Sequence, residues 1–352
     1  MLQKFVHKPL MGLLLASSTL LGLVLPTFTN LGESKLLAQN VVSQNLDAAM
    51  FYQVGVNRYQ RQDYPAAEKA FRQALELDPS IGLARNYLGN ILMWQNRLDL
   101  ATQEYGEAIR LSPNVAEPYY NLGLALQQQG QLEAALTAYR QALVVNPSMA
   151  KAHYNLGLIL YQQGLRQDAI ASYQQAINFD SRDADSYYNL AIALQQEGQI
   201  EPAIAAYRQV LNFDPENAIA QSNLGSLLVL QGNTAEAAKI YQAAIEKNPR
   251  NVSAIYNLAI ILYNQGNLKA ASNGFQRASR EYRQLGNIEE AEKTAQMAEQ
   301  IIQSLKPKPP QTNSTTSSPV IIPNTTETPQ PVNLETTTET PQPANSEEKP
   351  AN

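Results

Sequence analysis

Cysteine is absent from the 352 residues, and histidine occurs only as His7 and His153. Without thiols the chain can form no disulfide, thiolate metal site or cysteine nucleophile. Two histidines so far apart leave a multi-histidine metal centre or a serine–histidine triad almost nothing to build on. Charged residues make up 16%, against about 25% in an average globular protein. The formal charge is −5, whereas a nucleic-acid binder would carry a basic excess. No Gly-rich phosphate loop, nucleophile elbow or metal-ligand pair stands in the chain. The expectation is a non-enzyme with no catalytic residue, no metal, no cofactor and no nucleic-acid partner.

The two ends read as additions to the fold. Lys4, His7 and Lys8 give a positive start, followed by a 16-residue apolar run from Leu10 to Leu25 that stops at Pro26. A membrane span needs about 20 apolar residues, so the run fits the core of a secretory signal peptide better. Cleavage is expected after Ala38, although Leu36 stands where a small residue is preferred. The alternative is an uncleaved anchor through residues 10–25, which would then be the chain's sole membrane contact. Either way the protein is expected outside the cytoplasm, in a periplasm, lumen or cell envelope, where a chain free of cysteine has no thiols to mispair. Residues 306–352 hold ten of the twenty prolines and repeat TTETPQP at Thr325–Pro331 and Thr337–Pro343. Their few apolar side chains cannot offset ordering entropy, so a disordered, extended tail is expected. It reads as a solvated spacer, or as a stalk or wall-spanning tether.

Between the ends the sequence matches itself at a shift of 34 residues, seven times from Ala48 to Leu285. The seventh position of each unit is aliphatic, from Val54 to Leu258, and the eighth is glycine or alanine. The twentieth is always alanine (Ala67 through Ala271), and the twenty-fourth is Phe71, Tyr105, Tyr139, Tyr173, Tyr207, Tyr241 or Phe275. Positions 4, 7, 8 and 11 share one helix face, and 20, 24 and 27 share another, so each unit is a helical hairpin. The small residues at 8 and 20 let the two backbones approach, and the ring at 24 fills the wedge toward the next unit. Gly130, Gly164, Gly198, Gly232 and Gly266 mark the turn inside the hairpin. Pro79, Pro113, Pro147, Pro215 and Pro249 end the units. The unit-ending proline is missing at Ser181 and Arg283, Val210 replaces a recurrent alanine, and Gln62 occupies a turn-glycine position. A hairpin cannot bury its apolar face alone, so the units should stack into a solenoid. Residues 39–47 are read as a linker or N-terminal cap, and residues 286–305, with Ile288, Ala291, Ala298 and Ile301 at helical spacing, as a capping helix.

These residues at this period resemble the tetratricopeptide repeat family, over about two thirds of the chain. The exported bacterial members, cyanobacterial ones included, are the nearest in style. The resemblance implies an all-α, right-handed superhelical solenoid of seven repeats whose first helices line a concave groove. It also implies a non-catalytic scaffold that binds a peptide or partner protein there, with assembly of a membrane or envelope complex as one use. Alternatives are a structural envelope spacer or the targeting subunit of an enzyme complex.

By the same resemblance, the second, fifth, sixth, ninth, twelfth and thirteenth positions face the groove. The sixth supplies Asn121, Asn155, Asn189, Asn223 and Asn257, amides able to pair with a peptide backbone or to tie neighbouring units. Tyr120, Tyr154, Tyr188 and Tyr256 at the fifth position offer apolar area with a polar tip. Leu124, Leu158 and Ile192 at the ninth and Trp94 at the thirteenth complete the candidate peptide-binding set. The second position holds a single basic residue, Lys151, between Glu117 and Asp185, which does not support a carboxylate-gripping clamp. His153, at the fourth position, reads as a packed or capping residue.

Overall fold

The computed structural model describes residues 42–306. The expected signal segment 1–38 and the tail from 307 onward lie outside the described residues. Fifteen helices follow one another with no strand among the described residues. They pair as hairpins: α1 Leu46–Gln60 with α2 Tyr64–Leu77, α3 Gly82–Trp94 with α4 Leu98–Leu111, α5 Ala116–Gln128 with α6 Leu132–Val145, and α7 Ala150–Gln162 with α8 Arg166–Phe179. The array continues with α9 Ala184–Gln196 and α10 Ile200–Phe213, α11 Ala218–Leu230 and α12 Thr234–Lys247, and α13 Val252–Asn264 and α14 Leu268–Gln284. The last helix, α15, spans Ile288–Leu305. Each helix packs on its neighbours in sequence, which is the contact pattern of a solenoid.

The periodic residues do the packing. All seven alanines at the twentieth position and all seven rings at the twenty-fourth are buried. Full burial of such a ring stabilises by about 1.5–3 kcal/mol. The glycine at the eighth position exists for that ring: a Cβ on Gly123 would lie 2.5 Å from the Tyr139 ring. Within the hairpin, Gly130 (φ +76°) closes the first helix by giving its N–H to Gln127 while Gln131 gives its own to Leu126. Gln62 (φ +60°) and Asn96 (φ +58°) make the same turn without glycine. The geometry is thus kept at a cost of about 1–2 kcal/mol for a left-handed non-glycine residue.

Units end on an Asx turn as much as on proline. Asp78, Asn146, Asp214 and Asn248 each cap a helix and accept the N–H of the residue two further on. Asp180 does the same to Arg182, which explains why Ser181 can replace the proline. Tyr282 and Arg283 supply neither device, and α14 accordingly runs 17 residues where the other second helices run 14. A ladder at thirty-residue spacing, which the sequence reading missed, joins the turn edges of consecutive units. Gln129 donates to Asp99 (2.8 Å), Gln163 to Glu133 (2.6 Å) and Gln231 to Glu201 (3.1 Å). Where the carboxylate moves to Glu197, Gln167 donates in the reverse sense.

One ring is poorly served. Tyr105, Tyr139 and Tyr207 donate their hydroxyls to Asn90, Gln127 and Gln195. In the fourth unit Tyr161 stands where Gln127 and Gln195 stand, and the buried Tyr173 hydroxyl has no partner among the described residues. An unpaired buried hydroxyl costs about 1–3 kcal/mol. Tyr173→Phe is therefore expected to raise stability by about 1 kcal/mol, and Tyr139→Phe to lower it by a similar amount. Urea unfolding of the two variants checks this, and equal losses in both would remove the distinction.

Candidate functional site

The first helices of consecutive units lie side by side: α3 meets α5, α7 meets α9 and α11 meets α13. Their fifth and ninth positions form the floor of one face. Tyr120, Tyr154 and Tyr188 are half-buried, each ring leaning on the core ring of its own unit at 5.8–6.2 Å. Leu124, Leu158 and Ile192 lie beside them, also half-buried. The tyrosines are thus a floor rather than protruding anchors. Burial pushes the Tyr120 phenol up to about 12 against an opposing hydrogen bond from Asn155, so it stays protonated near neutrality. Burial also raises Tyr154 and Tyr188.

The asparagine ladder is engaged inside the array. Asn155 donates its side-chain amide to the Tyr120 hydroxyl at 3.1 Å and to the Lys151 carbonyl at 3.0 Å. Asn189 repeats this one unit on, with Tyr154 at 3.2 Å and the Asp185 carbonyl at 3.0 Å. Asn121 is buried and donates to Asn86; Asn257 reaches Ser222 at 3.5 Å. Asn223, also buried, departs from the pattern and donates to the Tyr207 hydroxyl at 3.0 Å. With both amide protons engaged, Asn155 and Asn189 could offer a ligand only their carbonyl oxygens. The expected two-way pairing with a peptide backbone reduces to acceptance of its N–H groups.

The structure also divides the other expected groove residues. Tyr256 packs against Phe275 and Tyr282 with its hydroxyl near the Met297 sulfur of α15 (3.9 Å). Ile260 is buried in the same cluster as Ala298 and Ile301. The last helix thus covers the seventh unit's share of the face. His153 bonds the Pro147 carbonyl through Nε2 (2.9 Å) and stacks on Phe179, a clasp that Gln221 repeats on Pro215.

The rims carry a pattern the sequence reading passed over. Thirteenth positions are exposed in every unit and second positions in all but the first, where Ala49 is half-buried; in units three to five they are polar: Glu117, Lys151, Asp185, Gln128, Gln162 and Gln196. In unit two they are Leu83 (40% exposed) and Trp94 (50%), and in unit six Ile219 (45%) and Leu230 (54%). The floor beneath drops to Asn86 and Asn90 in unit two and to Ser222 and Ser226 in unit six. Trp94 rests on Tyr64 with ring centroids 4.7 Å apart. Hydropathy at the second and thirteenth positions, more than charge, sets units two and six apart.

A solenoid of helical hairpins with one face open along its first helices is the architecture of repeat proteins that bind other proteins. The family model described as the cilia and flagella-associated protein 70 C-terminal domain matches residues 16–248, and a tetratricopeptide repeat model matches 228–284. The chain belongs to the tetratricopeptide repeat family. That family is generally one of non-catalytic scaffolds for protein–protein interaction. Among similar solved structures is pilF of Pseudomonas aeruginosa, 23% identical over 58% of this chain and 92% of that one, with a TM-score of 0.50. YrrB, described as a TPR protein with an unusual peptide-binding site, is 24% identical over 53% and 97%, with a TM-score of 0.48. A tetratricopeptide repeat protein from Parabacteroides merdae is 19% identical over 71% and 99%, with a TM-score of 0.46. These likenesses concern the fold. No curated protein sequence matches the chain.

Proposed function

We propose that the protein is a non-catalytic scaffold that holds a peptide or partner protein on the face formed by its first helices. The observation that carries this reading is the continuous half-buried floor of Tyr120, Leu124, Tyr154, Leu158, Tyr188 and Ile192 between polar rims. An apolar floor supplies binding energy and a polar rim supplies register, the division of labour of a recognition groove. The same reading places the protein outside the cytoplasm, in the periplasm, a lumen or the envelope, with residues 1–38 as the export signal and a membrane or envelope complex as what it helps assemble. Among the described residues no helix is long and apolar enough to cross a membrane.

Co-purification from the native host identifies the partner, and titration against groove variants tests the site. Tyr154→Ala and Tyr188→Ala are each expected to weaken binding about tenfold, equivalent to about 1.4 kcal/mol. Gln209→Ala, on α10, serves as a control that leaves affinity unchanged. Full affinity in both tyrosine variants, with helicity retained, would move the binding site off this face. N-terminal sequencing of the same preparation addresses export: a start near residue 39 is expected, and intact Met1 in the cytoplasm would end that part of the proposal.

A further inference from the structure

The inversion at units two and six gives the open face two apolar-rimmed notches, four units apart, with Lys151 midway between them. We propose that the chain's own tail occupies this face, resting on the reading of the groove as the binding surface. Val320, Ile321 and Ile322 would seat at the unit-six notch, Val332 and Leu334 at the unit-two notch, and Glu327 opposite Lys151. These five are the only aliphatic residues larger than alanine after Lys306.

The lengths agree. The two clusters are centred 12 residues apart, at 321 and 333, which in an extended proline-rich chain at about 3.1 Å per residue is roughly 37 Å. Adjacent helices pack about 8–10 Å apart, so four unit steps span roughly 32–40 Å. One charge pair fits the register. Glu327 lies midway between the clusters, and Lys151, flanked on the same rim by Glu117 and Asp185, is the only basic residue at the second position of any unit. The direction is also right. The chain leaves the array at Lys306, beside unit seven, and the 13 residues 307–319 reach up to about 40 Å, so unit six is met first. Prolines 319, 323, 329 and 331 restrict the segment in advance and lower the cost of ordering it.

Trp94, the only tryptophan, sits in the unit-two notch and reports directly. The full chain is compared with a chain ended at Ser318, and a synthetic peptide of residues 319–334 is added to each. Ending the chain is expected to red-shift Trp94 emission, and the peptide to reverse the shift. The full chain should bind the peptide at least tenfold more weakly, because its own tail competes at high effective concentration. Ile219→Ser combined with Leu230→Ser should weaken the peptide at least tenfold with helicity unchanged. Lys151→Glu should weaken it too, and a peptide carrying Glu327→Lys should recover the loss. Identical emission from the two chains together with no peptide binding overturns the proposal. Binding indifferent to the charge swap overturns the register, and emission that varies with protein concentration gives the tail to a second copy instead. If the tail fails while a captured partner still loses affinity in Tyr154→Ala, only the tail falls and the groove reading stands.

Discussion

Ala169→Phe is expected to lower the melting temperature by about 2–12 °C and to split a single unfolding transition into two. Ala169 is fully buried at the twentieth position of the fourth unit, in the cluster that holds Tyr173 and Ile159. A phenyl ring there has no space and must push α8 from its neighbours. Overpacking costs about 1–3 kcal/mol, and a domain of this size loses roughly 2–4 °C per kcal/mol. Stability in a solenoid is close to a sum of nearest-neighbour terms, so a wedge in the middle uncouples the halves. Gln162→Phe, on the exposed thirteenth position of the same unit, is the control and should barely register. Calorimetry decides it: parental melting in both variants would mean the helix faces have been assigned wrongly.

The combined Asn155→Ala, Asn189→Ala and Asn223→Ala variant is expected to lose up to about 3 kcal/mol of stability. From the sequence alone this triple change should spare the fold, since alanine favours helix and no core volume is lost. The structure reverses that expectation. Asn155 and Asn189 each bond a tyrosine hydroxyl of the preceding unit, and the buried Asn223 bonds the Tyr207 hydroxyl. Each such bond contributes about 0.5–1.5 kcal/mol net, partly offset by roughly 0.5 kcal/mol of helix propensity per alanine. Asn223→Ala alone should cost the most, because its surroundings exclude the water that would replace it. Denaturant unfolding of the single and triple variants checks the order, and a triple variant as stable as its parent would return the amides to solvent or ligand. Any binding assay on these asparagines must therefore be read beside a stability measurement.

The thirty-four-residue period was enough to determine the hairpins, their stacking and the core. A buried alanine, a buried ring and a small residue recur at fixed spacing because a helix repeats every 3.6 residues and each unit meets the same neighbours. That reasoning located Ala169, Tyr139 and Gly123 correctly, and it flagged Gln62 and Ser181 as departures. It could not say that Gln62 takes up the left-handed turn regardless, or that Asp180 performs the turn in place of a proline. Those outcomes depend on which backbone N–H groups lie within reach once the helices are packed.

The open face was legible in outline, but the side-chain pairing across it was not. Position on a helix tells which side a residue occupies, but not what stands opposite. The asparagines share a side with the groove, yet their amides reach the fifth position of the neighbouring unit, a contact across 35 residues that no local pattern encodes. Tyr256 and Ile260 fit the groove pattern as well as any other unit's residues, and only the return of α15 covers them. Leu83, Trp94, Ile219 and Leu230 were visible as letters, but their exposure follows from the way neighbouring helices leave the second and thirteenth positions uncovered. Periodic burial is a property of the repeat and was determined by the sequence; pairing across units and exposure at the rims depend on the relative placement of helices, which only the tertiary structure decided.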